Sequence, residues 1–142
     1  GEHDEQDDKY ISKHFDFNLR ICCPKGFFPR DEEIEGGNNI QTYDDPLKAL
    51  KNADVVVTDT WVSMGMVDEK KRLKKFKGFQ VNEKLMSIAK SSSVFLHCLP
   101  AHRGNEVSAE VIDGKQSLVW VEAYNRLFVQ KAILLWCLGV DG

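Results

Sequence analysis

The sequence has no apolar run approaching the roughly 20 residues that a helix needs to cross a bilayer, so no membrane-spanning role is expected. It has no surplus of basic residues either. Its 19 lysines and arginines stand against 22 aspartates and glutamates, and a nucleic-acid partner would call for a basic face. Cysteine is sparse: four thiols in 142 residues do not make the disulfide-dense framework of small secreted chains. Adjacent Cys22 and Cys23 lie in an apolar, strand-like run, which points them to opposite faces and excludes a metal knuckle. Residues 1–8 are acidic, the opposite of a basic leader segment. There is no internal repeat, linker or low-complexity stretch. These absences predict one domain in a reducing, intracellular compartment, the cytoplasm or, in a eukaryote, the mitochondrial matrix.

What is present is ordinary in amount and ordered in pattern. Hydrophobic residues make up 42% and charged residues 29%, enough to bury a real core at this length. Residues 1–14 are polar and acidic, and they read as a poorly packed start. His3, Asp4, Asp7 and Asp8 lack the ligand spacing of a metal site. Residues 18–23 form a short strand closed by Pro24, Lys25 and Gly26, and Ile40–Tyr43 alternates as a second. Asp44, Asp45 and Pro46 then start a helix, with a carboxylate at the N-cap and proline at N1, running to about Asn52. Residues 54–59 are β-branched and continuous, as in a strand covered on both faces.

Lys70 to Lys77 is a lysine-rich, solvated helix face. Residues 82–90 have near-helical apolar spacing, interrupted by Ser91 to Ser93. After the strand that begins at Val94, a helical turn at Ser108 to Val111 ends by Gly114. Residues 117–121 read as a further strand, and residues 122–138 as a final helix stopped by Gly139. That helix is apolar nearly all round in its C-terminal part, so it expects a partner on more than one side. Strands alternating with short helices predict an α/β fold with a mostly parallel sheet.

Chemistry concentrates in three stretches. The first is Val94-Phe95-Leu96-His97-Cys98-Leu99-Pro100, a buried strand that stops at a proline with a His-Cys pair at its carboxyl end. Open α/β sheets build their sites at such strand ends. The second is Asp59-Thr60-Trp61-Val62-Ser63-Met64-Gly65, and the third Glu122-Ala123-Tyr124-Asn125-Arg126. Taken singly, each residue has a plain alternative. Asp59 and Ser63 are common turn residues, His97 suits a buried hydrogen-bonded histidine, and Arg126 lies one helical turn from Glu122 and could pair with it. His102 and Arg103 read as solvated or loop-fixing.

Together and in this order, the three motifs resemble the ornithine-binding half of the ornithine carbamoyltransferase family, from about Leu19 to the C-terminus. The resemblance implies a three-layer, Rossmann-like α/β fold with a mostly parallel sheet and helices on both faces, its first strand missing or replaced. It implies carbamoyl transfer from carbamoyl phosphate to ornithine, giving citrulline and phosphate, in arginine biosynthesis or the urea cycle. No cofactor or metal is implied. Asp59 is expected to hold the α-ammonium group, Ser63 and Met64 to contact ornithine, and Cys98 to orient and deprotonate the side-chain amine with Asp59. His97 would help hold the carbamoyl carbonyl, Leu99 would contribute its backbone, and Arg126 would bind near the carbonyl oxygen.

The family's phosphate cradle, with its Ser-x-Arg-Thr and His-Pro-x-Gln motifs, is not found here. Nor is the Asp-Gly-Asn-Asn loop at the start of the ornithine domain; Gly36-Gly37-Asn38-Asn39 is similar but lies after the first strand. The expected organisation is an unmatched acidic segment over residues 1–14 and the ornithine domain over residues 15–142, without the carbamoyl-phosphate domain. Without the cradle, the chain alone is expected to be inactive. The family's trimer is not expected of it, because the trimer contacts come mainly from the missing domain. Two other readings remain open: a transferase for a related amine such as putrescine, and a non-enzymatic binding or regulatory module derived from the enzyme.

Overall fold

The computed structural model describes residues 16–30, 39–62 and 68–139. Two parallel strand pairs frame it. Strand β1 (Leu19–Cys22) pairs with β2 (Ile40–Tyr43), Leu19 opposite Ile40 and Cys22 opposite Tyr43. Strand β3 (Val55–Thr58) pairs with β4 (Val94–His97), Val55 opposite Val94 and Thr58 opposite His97. Both described pairs are parallel, and between β3 and β4 the chain returns through helices, as in a Rossmann-like α/β fold.

Helix α1 (Pro46–Ala49) starts as its residues dictate: the Asp45 carboxylate accepts from the Leu47 amide at 3.0 Å, and proline occupies N1. It ends before the expected Asn52, which sits in the left-handed region at φ 57° and cannot continue a helix. Arg20 reaches over from β1 and donates to the carbonyls of Ala49 (3.0 Å) and Lys51 (2.6 Å), satisfying acceptors that the helix end leaves open.

Helix α2 (Glu69–Phe76) exposes its lysines, as predicted, and runs into a 3₁₀ turn at Lys77–Phe79. Phe76 anchors it, buried with Cys23 and Trp61, while the Arg72 guanidinium lies 5.1 Å from the rings of both Phe27 and Phe76. Helix α3 (Glu83–Met86) begins with Asn82 accepting from the Leu85 amide. It buries Leu85 and Met86. Helix α4 (Ala109–Ile112) adds Val111 and Ile112. The main core gathers around β4, where Phe95, Val107 and Val119 are wholly buried.

Gly114 closes α4 against its own last turn. A Cβ there would lie 2.4 Å from the Glu110 carbonyl oxygen, which is backbone and cannot swing aside. Gly114→Ala should therefore cost about 1–3 kcal/mol, read as a lower urea midpoint with an unchanged slope.

Two expectations are corrected. Strand β3 is not covered on both faces: Val55 and Val57 are 49% and 55% exposed, while Val56 packs inward. The expected strand at residues 117–121 is also absent. Ser117 makes a single bridge to Phe95, and the last helix, α5 (Val119–Cys137), begins two residues later. A short β-branched run cannot by itself separate a strand from a buried first helical turn.

Helix α5 buries only Val119. Trp120, Tyr124, Leu127, Leu134 and Trp136 are more than 60% exposed. Its all-round apolar character thus remains uncovered along most of its length, and Gly139, at φ 65°, ends it. Among the described residues no helix is long and apolar enough to cross a membrane.

Candidate functional site

The register of β3 and β4 builds the site. Thr58 and His97 are the last paired residues, so the next residues out, Asp59 and Cys98, emerge side by side at the carboxyl ends of adjacent strands. The Cys98 thiol donates to Asp59 Oδ1 at 3.0 Å. The same oxygen accepts from the Thr60 amide (2.6 Å) and the Thr60 hydroxyl (3.2 Å). Burial works against the Asp59 carboxylate, but these donors outweigh it and hold the carboxyl below its usual range.

Beyond Cys98 the chain turns sharply. Leu99 takes a left-handed conformation (φ 55°) and the Leu99–Pro100 bond is cis. The turn is held by His97, whose Nδ1 accepts from the Leu99 amide at 2.9 Å. The ring proton therefore sits on Nε2, which lies 3.3 Å from Glu106 Oε1. Both residues are wholly buried. Glu106 Oε1 also accepts from the His102 amide at 2.5 Å. Burial pushes the Glu106 carboxyl up, yet the hydrogen bonds from His97 and His102 prevail and lower it. The imidazole has no exposed surface, and both its nitrogens are engaged within the loop.

Helix α5 supplies the other wall. Arg126 Nη1 donates to the Cys98 carbonyl at 3.2 Å, and Glu122 Oε2 accepts from the His97 amide at 3.1 Å. Cys98, Leu99, Glu122, Ala123, Arg126 and Gln130 line a cavity of about 250 Å³. A carboxylate, a thiol and a guanidinium thus stand at one strand edge. The carboxylate suits an ammonium group, and the guanidinium a developing negative charge on oxygen.

Among the predicted residues, Asp59, His97, Cys98, Leu99 and Arg126 come together. Ser63, Met64 and Gly65 lie outside the described residues, as do His3, Asp4, Asp7, Asp8 and residues 36–38. Arg103 is loop-fixing, bound in a fork to Asp113 at 3.0 and 2.8 Å. Sequence reasoning missed Glu106, whose only signal is one glutamate in the loop that leads to α4. Elsewhere, burial pushes the Cys22 thiol up to about 12, helped by Cys23, Asp45 and Asp44. Among the described residues no group of three or more potential ligands could hold a metal ion.

Residues 6–137 match the family model for the Asp/Orn binding domain of aspartate/ornithine carbamoyltransferase. The chain belongs to that family. The ornithine carbamoyltransferase of Ruthia magnifica subsp. Calyptogena magnifica is 55% identical over 130 residues, covering 90% of this chain and 44% of that protein. Its counterpart in Brucella abortus (strain 2308) is 52% identical over 132 residues, 90% of this chain and 42% of the relative. Among solved structures, the ornithine carbamoyltransferase of Pyrococcus furiosus superposes with a TM-score of 0.83 at 40% identity, over 92% of this chain and 44% of that one. The one from Burkholderia thailandensis E264 gives 0.81 at 40% identity, over 92% of this chain and 42% of its own. The chain therefore spans less than half the length of these carbamoyltransferases and corresponds to their Asp/Orn binding domain.

Proposed function

We propose that this chain is the ornithine-binding half of an ornithine carbamoyltransferase and that it needs the carbamoyl-phosphate-binding half to turn over. One observation carries the reading: Asp59 and Cys98 meet at 3.0 Å on adjacent strand ends, with Arg126 bound to the Cys98 carbonyl beside them. In the reaction, the side-chain amine of ornithine attacks the carbamoyl carbon. The bond from that carbon to the phosphate oxygen breaks, phosphate leaves, and the amine gives up a proton.

Each group has a part in that sequence. Asp59, kept ionised by its donors, attracts the α-ammonium group and orders the Cys98 thiol. Cys98 faces the side-chain amine and, with Asp59, orients it and helps remove its proton. Arg126 stabilises the carbonyl oxygen as charge develops there. Ser63 and Met64 complete the ornithine contacts. The apolar length of α5 and an adjoining groove of about 530 Å³, lined by Leu96, Leu118, Val121 and Val129 among others, seat the second domain. His97 has no exposed ring surface for the carbamoyl carbonyl, so its part here is to hold the loop.

Calorimetric titration tests the reading. The chain should bind ornithine at millimolar concentration or below and prefer it to putrescine, which lacks the α-carboxylate. Asp59→Asn should weaken binding by about ten- to a hundredfold, the range for losing a charged hydrogen-bond partner. A chain that shows no ornithine affinity at millimolar concentration is not using this pocket for ornithine, and the reading fails.

A further inference from the structure

Glu122 and Arg126 lie one turn apart on the same face of α5, where opposite charges ordinarily pair with each other. Here they do not: no N–O distance between them falls within 4 Å, and each bonds instead to the backbone at the end of β4. The outer edge of β4 explains the arrangement. The Phe95 amide donates to the Gln116 carbonyl at 2.8 Å, and the Phe95 carbonyl accepts from the Leu118 amide at 2.9 Å. A neighbouring strand would next take up the His97 amide, but the chain has already turned into α5 at Val119. The Glu122 carboxylate fills that vacancy, continuing the ladder with a side chain, and Arg126 takes the carbonyl one residue further on.

We infer that Glu122 is a positioning residue for the thiol of Cys98. It fixes the Leu96–His97 peptide, one residue before Cys98, and by leaving Arg126 unpaired it frees that guanidinium for the Cys98–Leu99 peptide. One helix face thus holds the backbone just before and just after Cys98, which sets its sulfur against Asp59. The value of this for catalysis rests on the reading of Asp59, Cys98 and Arg126 as substrate-facing groups; the clamp itself does not.

The test compares Glu122→Ala, which removes the acceptor, with Glu122→Gln, which keeps an oxygen at the same reach. Three quantities are read on the chain: hydrogen exchange of the His97 amide against that of Phe95, the site-resolved rate of Cys98 alkylation by iodoacetamide, and ornithine affinity. Glu122→Ala should speed His97 exchange by about tenfold or more while Phe95 stays protected. It should also shift Cys98 alkylation several-fold and weaken ornithine several-fold, and Glu122→Gln should restore most of each. Unchanged alkylation and ornithine affinity in Glu122→Ala would overturn the inference, since the bond would then position nothing. Equal acceleration at Phe95 and His97 would overturn it too, as general loosening of the strand. Wild-type chain that binds no ornithine would count against the proposed function instead, and Cys98 alkylation would still judge Glu122.

Discussion

Mixed with a carbamoyl-phosphate-binding domain from a relative, this chain should form citrulline, and Cys98→Ser should remove about 10²–10⁴ of that rate, the range of a single proton-transfer group. The serine hydroxyl keeps a donor for Asp59, so the 3.0 Å contact survives in kind. What it loses is the thiol, a stronger acid than the hydroxyl that replaces it. The chain alone should stay at background, because transfer requires carbamoyl phosphate to be held against the amine. Such fixed placement accounts for factors of about 10⁵ and more in intramolecular reactions. A colorimetric citrulline assay on four mixtures, each chain with and without the added domain, decides the matter. Activity in the mixture that Cys98→Ser leaves intact would remove Cys98 from the reaction. No activity in the mixture would favour a binding module.

The largest expected loss of stability is at Glu106. Glu106→Ala should cost about 2–5 kcal/mol, the penalty for leaving two donors without the buried carboxylate that they bond, against total stabilities of about 5–15 kcal/mol. It would strip the partner from His97 Nε2 and from the His102 amide at once, and both the carboxylate and the imidazole are closed to water, so nothing replaces it. The pH dependence follows from the direction of the Glu106 carboxyl, which lies below its ordinary 4.5 in the folded chain. A depressed folded value means that the stabilisation is present above about pH 4.5 and is lost as pH falls through the folded value. Urea midpoints measured downward from about pH 6 should drop more steeply for wild type than for Glu106→Gln, which has no proton to take up at that position. Parallel profiles would show that the carboxylate is not what holds the loop.

Much of this was legible in the sequence where local chemistry decides the outcome. Asp45 and Pro46 mark a helix start through their own side chains, and the β-branched run at residues 54–59 forms a strand in a parallel pair. Asp59 and Cys98 could be recognised as neighbours only through the family motifs, since what joins them is a register between strands 39 residues apart. The misreadings arise where distant contacts or backbone conformation decide the outcome. Residues 117–121 carry a pattern that fits a strand or a buried helical turn, and the choice is made by Phe95, which accepts one rung and no more. Asn52 ended α1 early through a backbone conformation that its neighbours do not announce. Glu106 escaped notice because a single glutamate in a loop is ordinary; only its complete burial against His97 gives it weight.

The bare length of α5 has one more consequence. A partner that covers Trp120, Tyr124, Leu127 and Trp136 binds the folded chain and not the unfolded one, so by mass action it raises the free energy of unfolding as its concentration exceeds the dissociation constant. A hundredfold excess adds about 2.7 kcal/mol. The melting temperature of this chain is then a property of its solution as well as of its sequence, and it rises with whatever shares the tube.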